Sequence, residues 1–221
     1  VAFSNIFLNV GQFNKALEQV EKAYAIDQKR VDAVQQSFWI YFASNAVDKA
    51  RTVLDVLNHM DDRKTHSEIY FRWKVLLEEK DRKFEVITDL LDAGDISLDL
   101  TKSRSHEVIS AVIRALCECF RIDEALDITA QIPKTVFEGS LNLQFSRAKI
   151  SEYRGDISDA VLRYEQIIKK FGYPEAQWNR ALALLSIGDL SRGWEEFENR
   201  WGWKDYPSSR WTISTSEWSG E

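Results

Sequence analysis

The stretch QFSRAKISEYRGDISDAVLRYEQII, residues 144–168, lies over QWNRALALLSIGDLSRGWEEFENRW, residues 177–201, without a gap at an offset of 33. A chain that repeats its apolar spacing at such an interval is built from copies of one supersecondary unit. An earlier pair, GQFNKALEQVEKA from Gly11 and NAVDKARTVLDVL from Asn45, overlays at 34 residues. RIDEALDITAQI from Arg121 has the same start, and RKFEVITDLL from Arg82 is a weaker copy. Taking one small residue per copy as the anchor gives Ala16, Ala50, Val86, Ala125, Ala160 and Gly193, with spacings of 34, 36, 39, 35 and 33. Six units fit in the 221 residues.

Each unit reads as a helix of about 12 to 15 residues, a tight reversal and a second helix of similar length. Gly11, Asn45, Asp81, Gly155 and Gly188 stand at the reversals, where a left-handed backbone ends the first helix. Phe120 is the exception among these types. Asp156 and Asp189 are placed to cap the second helices. Two residues after the reversal stands an apolar anchor, Phe13, Val47, Ile122, Ile157 or Leu190, with Lys83 departing from the rule. Three further on, the small residue lets two helix backbones approach. Val20, Leu54, Leu90, Tyr164 and Phe197 extend the stripe by one turn, with Thr129 its weak member. Nine glycines and three prolines are too few for the hairpins of an all-β protein, so the expected class is all-α.

This pattern resembles the tetratricopeptide repeat, most closely at Phe145, Ala148, Gly155, Ile157, Ala160 and Tyr164, and at Trp178, Ala181, Gly188, Leu190, Gly193 and Phe197. Units two to four carry Phe38, Lys74 and Ile113 where the repeat has a small first-helix residue. The resemblance implies an α-α superhelix of about six hairpins over residues 1–204, with a groove lined by first helices. It further implies a non-catalytic scaffold that holds a protein or peptide partner through Gln36, Trp39, Arg72, Arg114, Phe145, Lys149, Trp178 and Asn179. Some relatives grip an extended peptide with a ladder of asparagines. Here only Asn179 stands at that position, with Gln36, Arg72, Ala111 and Ser146 at the others, so a repeated asparagine grip is not expected.

The stretch GDLSRGWEEFENRWGW, residues 188–203, places Trp194 and Phe197 on one helical face, expected to be core, with Trp201 one turn on. Residues 205–221, with Trp211 and Trp218, read as an extended tail toward a missing C-terminal domain, and with Trp203 these tryptophans are expected to pack back on the last helices or on that neighbour. The run PEAQWNRALALLSIGDLSRGWEEFENRWGW followed by SEWSGE is similar to the junction at which bacterial tetratricopeptide repeats lead into a GT-B, heptosyltransferase-like glycosyltransferase domain. That resemblance implies the alternative of a substrate-recruiting arm of a larger enzyme, with no catalytic residue in this chain.

The formal charge of −6, from 29 basic and 35 acidic residues, has the wrong sign for a nucleic-acid binder. No apolar run approaches the ~18 residues of a membrane span. His59, His66 and His106 show no metal-ligand spacing, so no metal or cofactor is expected. Cys117 and Cys119 point to different helical faces and read as buried structural thiols. The sequence opens on Val1 and its one methionine is Met60, so it is expected to be a processed or excised piece of a soluble protein, cytoplasmic by default, with any targeting signal out of view.

Overall fold

The computed structural model describes residues 7, 9–26, 31–59, 63–95, 106–203, 206 and 208, and among them the fold is all-helical without a strand. The helices are α1 (Phe13–Ile26), α2 (Val31–Ala43), α3 (Val47–Asn58), α4 (Arg63–Lys80), α5 (Phe84–Asp92) and α6 (His106–Glu118). They continue with α7 (Ile122–Gln131), α8 (Lys134–Gly139), α9 (Leu141–Tyr153), α10 (Ile157–Phe171), α11 (Pro174–Ser186) and α12 (Leu190–Phe197), followed by a 3₁₀ turn, Glu198–Gly202. No described helix is long and apolar enough to cross a membrane. The expected tail lies outside the described residues except for Tyr206 and Ser208.

The chain divides into two compact bodies, Val1–Cys119 and Phe120–Glu221. In the N-terminal body each helix packs on the next in sequence, and α4 also touches α6. In the C-terminal body α7 and α8 pack on α9, which leads through α10 and α11 to α12, and the 3₁₀ turn closes on the last two helices. The cores are local to neighbouring helices. Ala16, Val20, Ala33 and Ile40 join α1 to α2, while Phe145, Ala148, Ala160, Tyr164 and Ala176 join α9, α10 and α11.

Six reversals have a left-handed residue: Gly11, Asn45, Arg82, Phe120, Gly155 and Gly188. At Asn45, Arg82, Gly155 and Gly188 the next amide reaches back five residues, as in Lys83 N to Glu78 O at 2.8 Å and Asp156 N to Ser151 O at 2.9 Å. These paired bonds satisfy carbonyls that a helix end leaves open. The third reversal is therefore Arg82 rather than Asp81, a correction of one residue. It moves the apolar anchor from Lys83 to buried Phe84, the first-helix position from Lys74 to buried Val75, and the second-helix position from Val86 to Ile87. Hydrogen bonding, not residue type, sets this reversal, which is why a search for glycine, asparagine or aspartate lands one residue early.

With that register, five residues beyond each of these six reversals stands Ala16, Ala50, Ile87, Ala125, Ala160 or Gly193, each buried. A Cβ on Gly193 would lie 2.6 Å from Leu185 Cδ2, 2.7 Å from its Cγ and 3.1 Å from its backbone nitrogen, so α11 and α12 touch where no side chain fits. Phe120, by contrast, has φ of 59° and is 83% exposed, so it bears backbone strain with little burial in return. Phe120→Gly removes roughly 1–2 kcal/mol of left-handed strain against roughly 0.5–1 kcal/mol of added chain entropy in the unfolded state. A net gain of about 0.5–1 kcal/mol is expected in urea unfolding, and Phe120→Ala should give none.

Candidate functional site

In the N-terminal body the first helices of successive pairs meet through side chains. Phe38 of α2 stacks on Trp73 of α4, ring centroids 4.2 Å apart and 8° from parallel. Trp39 lies edge-on to Phe38, Phe42 and Trp73 at 5.5, 5.8 and 6.0 Å. Lys80 Nζ donates to the Phe42 carbonyl at 2.7 Å and rests 4.4 Å from that ring's centroid. Arg114 of α6 reaches Glu79 of α4 at 3.0 Å. Trp39, Arg72 and Arg114 thus keep partial access to solvent, Arg72 and Arg114 while already engaged within the protein. Gln36 is different. It is buried, and its Nε2 has no hydrogen-bond partner among the described residues.

The corrected third reversal also identifies the residues equivalent to Gln36 in later pairs as Trp73, Ala111, Ser146 and Asn179. The first four of these five are buried. Asn179 donates from Nδ2 to its own helix, at the Glu175 carbonyl, 2.8 Å away. Among the described residues this position carries glutamine, tryptophan, alanine, serine and asparagine in turn.

In the C-terminal body Phe145 is buried against Tyr164 and Tyr173, with centroids at 5.8 and 5.5 Å, and belongs to the core. Lys149 Nζ lies 3.0 Å from both Glu152 oxygens, and Glu152 accepts a hydrogen bond from the Tyr164 hydroxyl at 2.7 Å. Burial first, and then the Glu152 charge, push the Tyr164 hydroxyl far above its ordinary pKa, so it stays a donor. Lys149 is held in place as part of this chain of contacts, with half-buried access to solvent.

Trp178 sits between Phe197 and Tyr206 at 4.8 and 5.0 Å, and Trp201 and Trp203 approach the same tyrosine at 5.6 and 6.2 Å. Arg200 covers Phe197 and Trp201 at 4.4 and 4.2 Å. Trp203 meets Tyr206, a tail residue that itself packs on Trp178 of α11, whereas Trp211 and Trp218 lie outside the described residues. Trp194 departs from the expected core role. It touches Phe197 at 5.3 Å but is 57% exposed, because Gly193, not Trp194, is the residue turned against α11.

Sequence reasoning passed over the arginines of the fifth hairpin, Arg147, Arg154 and Arg163. The signal was present. Arg147 and Arg163 stand eight residues to either side of Gly155, and an antiparallel reversal folds such positions toward each other. Searched against protein-family models and against curated protein sequences, the chain gives no match.

Proposed function

We propose that the hairpins are tetratricopeptide-like repeats, the repeat type of α-α superhelices, and that the chain is a non-catalytic scaffold whose first helices receive a protein or peptide. The supporting observation is the six left-handed reversals, each five residues before a buried residue, in helices that pack in sequence order within each body. Such a stack spends its second helices on cohesion and leaves one face of its first helices for contact. The candidate contacts on first helices are Trp39, Arg72 and Arg114 in one body and, taken separately, Lys149, Trp178 and Asn179 in the other. Aromatic rings beside cations suit a peptide that alternates acidic and apolar residues. The cations are already oriented by Glu79 and Glu152, so a bound carboxylate would exchange with a partner rather than order a loose side chain.

A labelled peptide of alternating glutamate and phenylalanine, titrated by fluorescence anisotropy at low salt, tests this reading. Arg114→Glu in one body, or Lys149→Glu in the other, should weaken binding by roughly tenfold or more, since each charge reversal sets like charges together. Equal affinity for the folded variant and the native chain, or no saturable binding, would overturn it. The narrower reading, a recruiting arm of a glycosyltransferase, is supported by the resemblance of residues 174–221 to such junctions.

A further inference from the structure

Within the C-terminal body a cavity of about 200 Å³ is lined by Arg147, Ser151 and Arg154 from α9 and its C-terminal end and by Asp156, Asp159 and Arg163 from the start of α10. Three guanidinium groups face two carboxylates, and both carboxylates are already committed. Asp159 Oδ2 accepts from Arg163 Nε and from Ser151 Oγ, each at 2.5 Å. Asp156 Oδ1 caps α10 through the Asp159 amide at 3.2 Å. Among the described residues, Arg147 and Arg154 have no carboxylate within ion-pair distance. Burial first, then the charge of Arg163, and to a lesser degree that of Arg154, hold the Arg147 guanidinium below its ordinary pKa, with only Asp159 opposing.

A half-buried guanidinium crowded by two others is costly unless an anion answers it. In a chain with a net charge of −6, such crowding is not a consequence of composition. The volume falls below the roughly 300–1,000 Å³ of pockets that enclose a drug-sized ligand, so the space suits a single functional group. Three guanidiniums and two carboxylates leave the lining at +1, and the two forks without a carboxylate partner are free to meet a phosphate monoester of charge about −1.5 to −2. They also present the planar donors that oxyanions accept in pairs.

We propose that this cavity binds a phosphate group, held by Arg147 and Arg154 with Arg163 fixed beside them by Asp159. The polar lining comes from one hairpin, with Leu126 of α7 and Ile150 completing the wall, and the site is independent of the first-helix contacts proposed above. Inorganic phosphate and a phosphoserine peptide are titrated separately into the full chain at low ionic strength, following the arginine Nε–H resonances by NMR. Saturable shifts are expected at all three arginines. Acetate at matched ionic strength should bind at least tenfold more weakly. Arg147→Met should weaken phosphate binding tenfold or more, and Arg147→Lys should do so by a smaller factor because the charge stays while the fork is lost. Arg154→Met, at an exposed position, should weaken binding severalfold and serves if Arg147→Met does not fold. Tighter binding of the peptide identifies a phosphorylated polypeptide as the source, and equal or tighter binding of inorganic phosphate a free or small-molecule phosphate. Shifts that do not saturate, equal shifts with acetate, or binding unchanged in Arg154→Met and in a folded Arg147 variant would overturn the proposal.

Discussion

Phe38→Ala is expected to destabilise the N-terminal body by about 4 kcal/mol, within the range for emptying a fully buried aromatic position. Phe38 is completely buried and is the centre of the α2–α4 contact, stacked on Trp73 and flanked by Trp39 and Phe42. Truncation removes the apolar burial and also breaks three ring contacts, each worth about 0.5–1.5 kcal/mol beyond area. Trp73 cannot collapse into the space without abandoning Trp39. Urea unfolding followed through tryptophan emission reads the change. A loss below about 1 kcal/mol would show that the stack relaxes around the gap.

The second large effect is expected at Arg51. Its Nη1 lies 2.5 Å from Glu78 Oε1, and its Nη2 lies 2.6 Å from Asp81 Oδ2, so α3 is tied to the C-terminal end of α4. The Glu78 side chain is 5% exposed and that of Arg51 32% exposed. Arg51→Met leaves Glu78 charged and buried, with Lys83 at 4.0 Å as its remaining cation. Removing one member of a fully buried pair costs about 3–5 kcal/mol. The partial exposure of Arg51 and the nearby lysine reduce this to about 2–3 kcal/mol here. The double variant Arg51→Met, Glu78→Leu should recover most of that loss, because an apolar pair of similar size avoids the unpaired charge. A double variant as unstable as the single one would assign the loss to packing by the arginine stem instead.

Hairpin positions were legible where the chain marks its own turns. Gly155 and Gly188 have positive φ because glycine meets no Cβ penalty there, and Asp156 and Asp189 accept the amides of Asp159 and Arg192 as their types indicate. The third turn was misplaced by one residue because Arg82 supplies the left-handed backbone with no favourable side-chain chemistry, and only the hydrogen bonds of the surrounding helix ends reveal it. Trp194 was misread for a related reason: a three-residue spacing to Phe197 identifies a shared face but not whether that face turns inward. Gly193 decides this, since its contact with Leu185 fixes the rotation of α12. Of the first-helix candidates, Gln36 and Phe145 proved to be interior, because a polar or aromatic residue at helical spacing does not announce which neighbour covers it. The arginine cavity is tertiary, formed when one reversal superposes residues that are distant in sequence.

The stack of Phe38 on Trp73 also limits how this chain can be rearranged. Repeat arrays are often treated as interchangeable blocks that can be deleted, duplicated or shuffled. Here the second block carries a bulky key and the third the matching flat ring, so excising either one strands an indole or a phenyl group in water. Gene-level loss or gain of a block in this part of the protein would have to be accompanied by a compensating change in the adjoining block, and the two should be inherited as a pair.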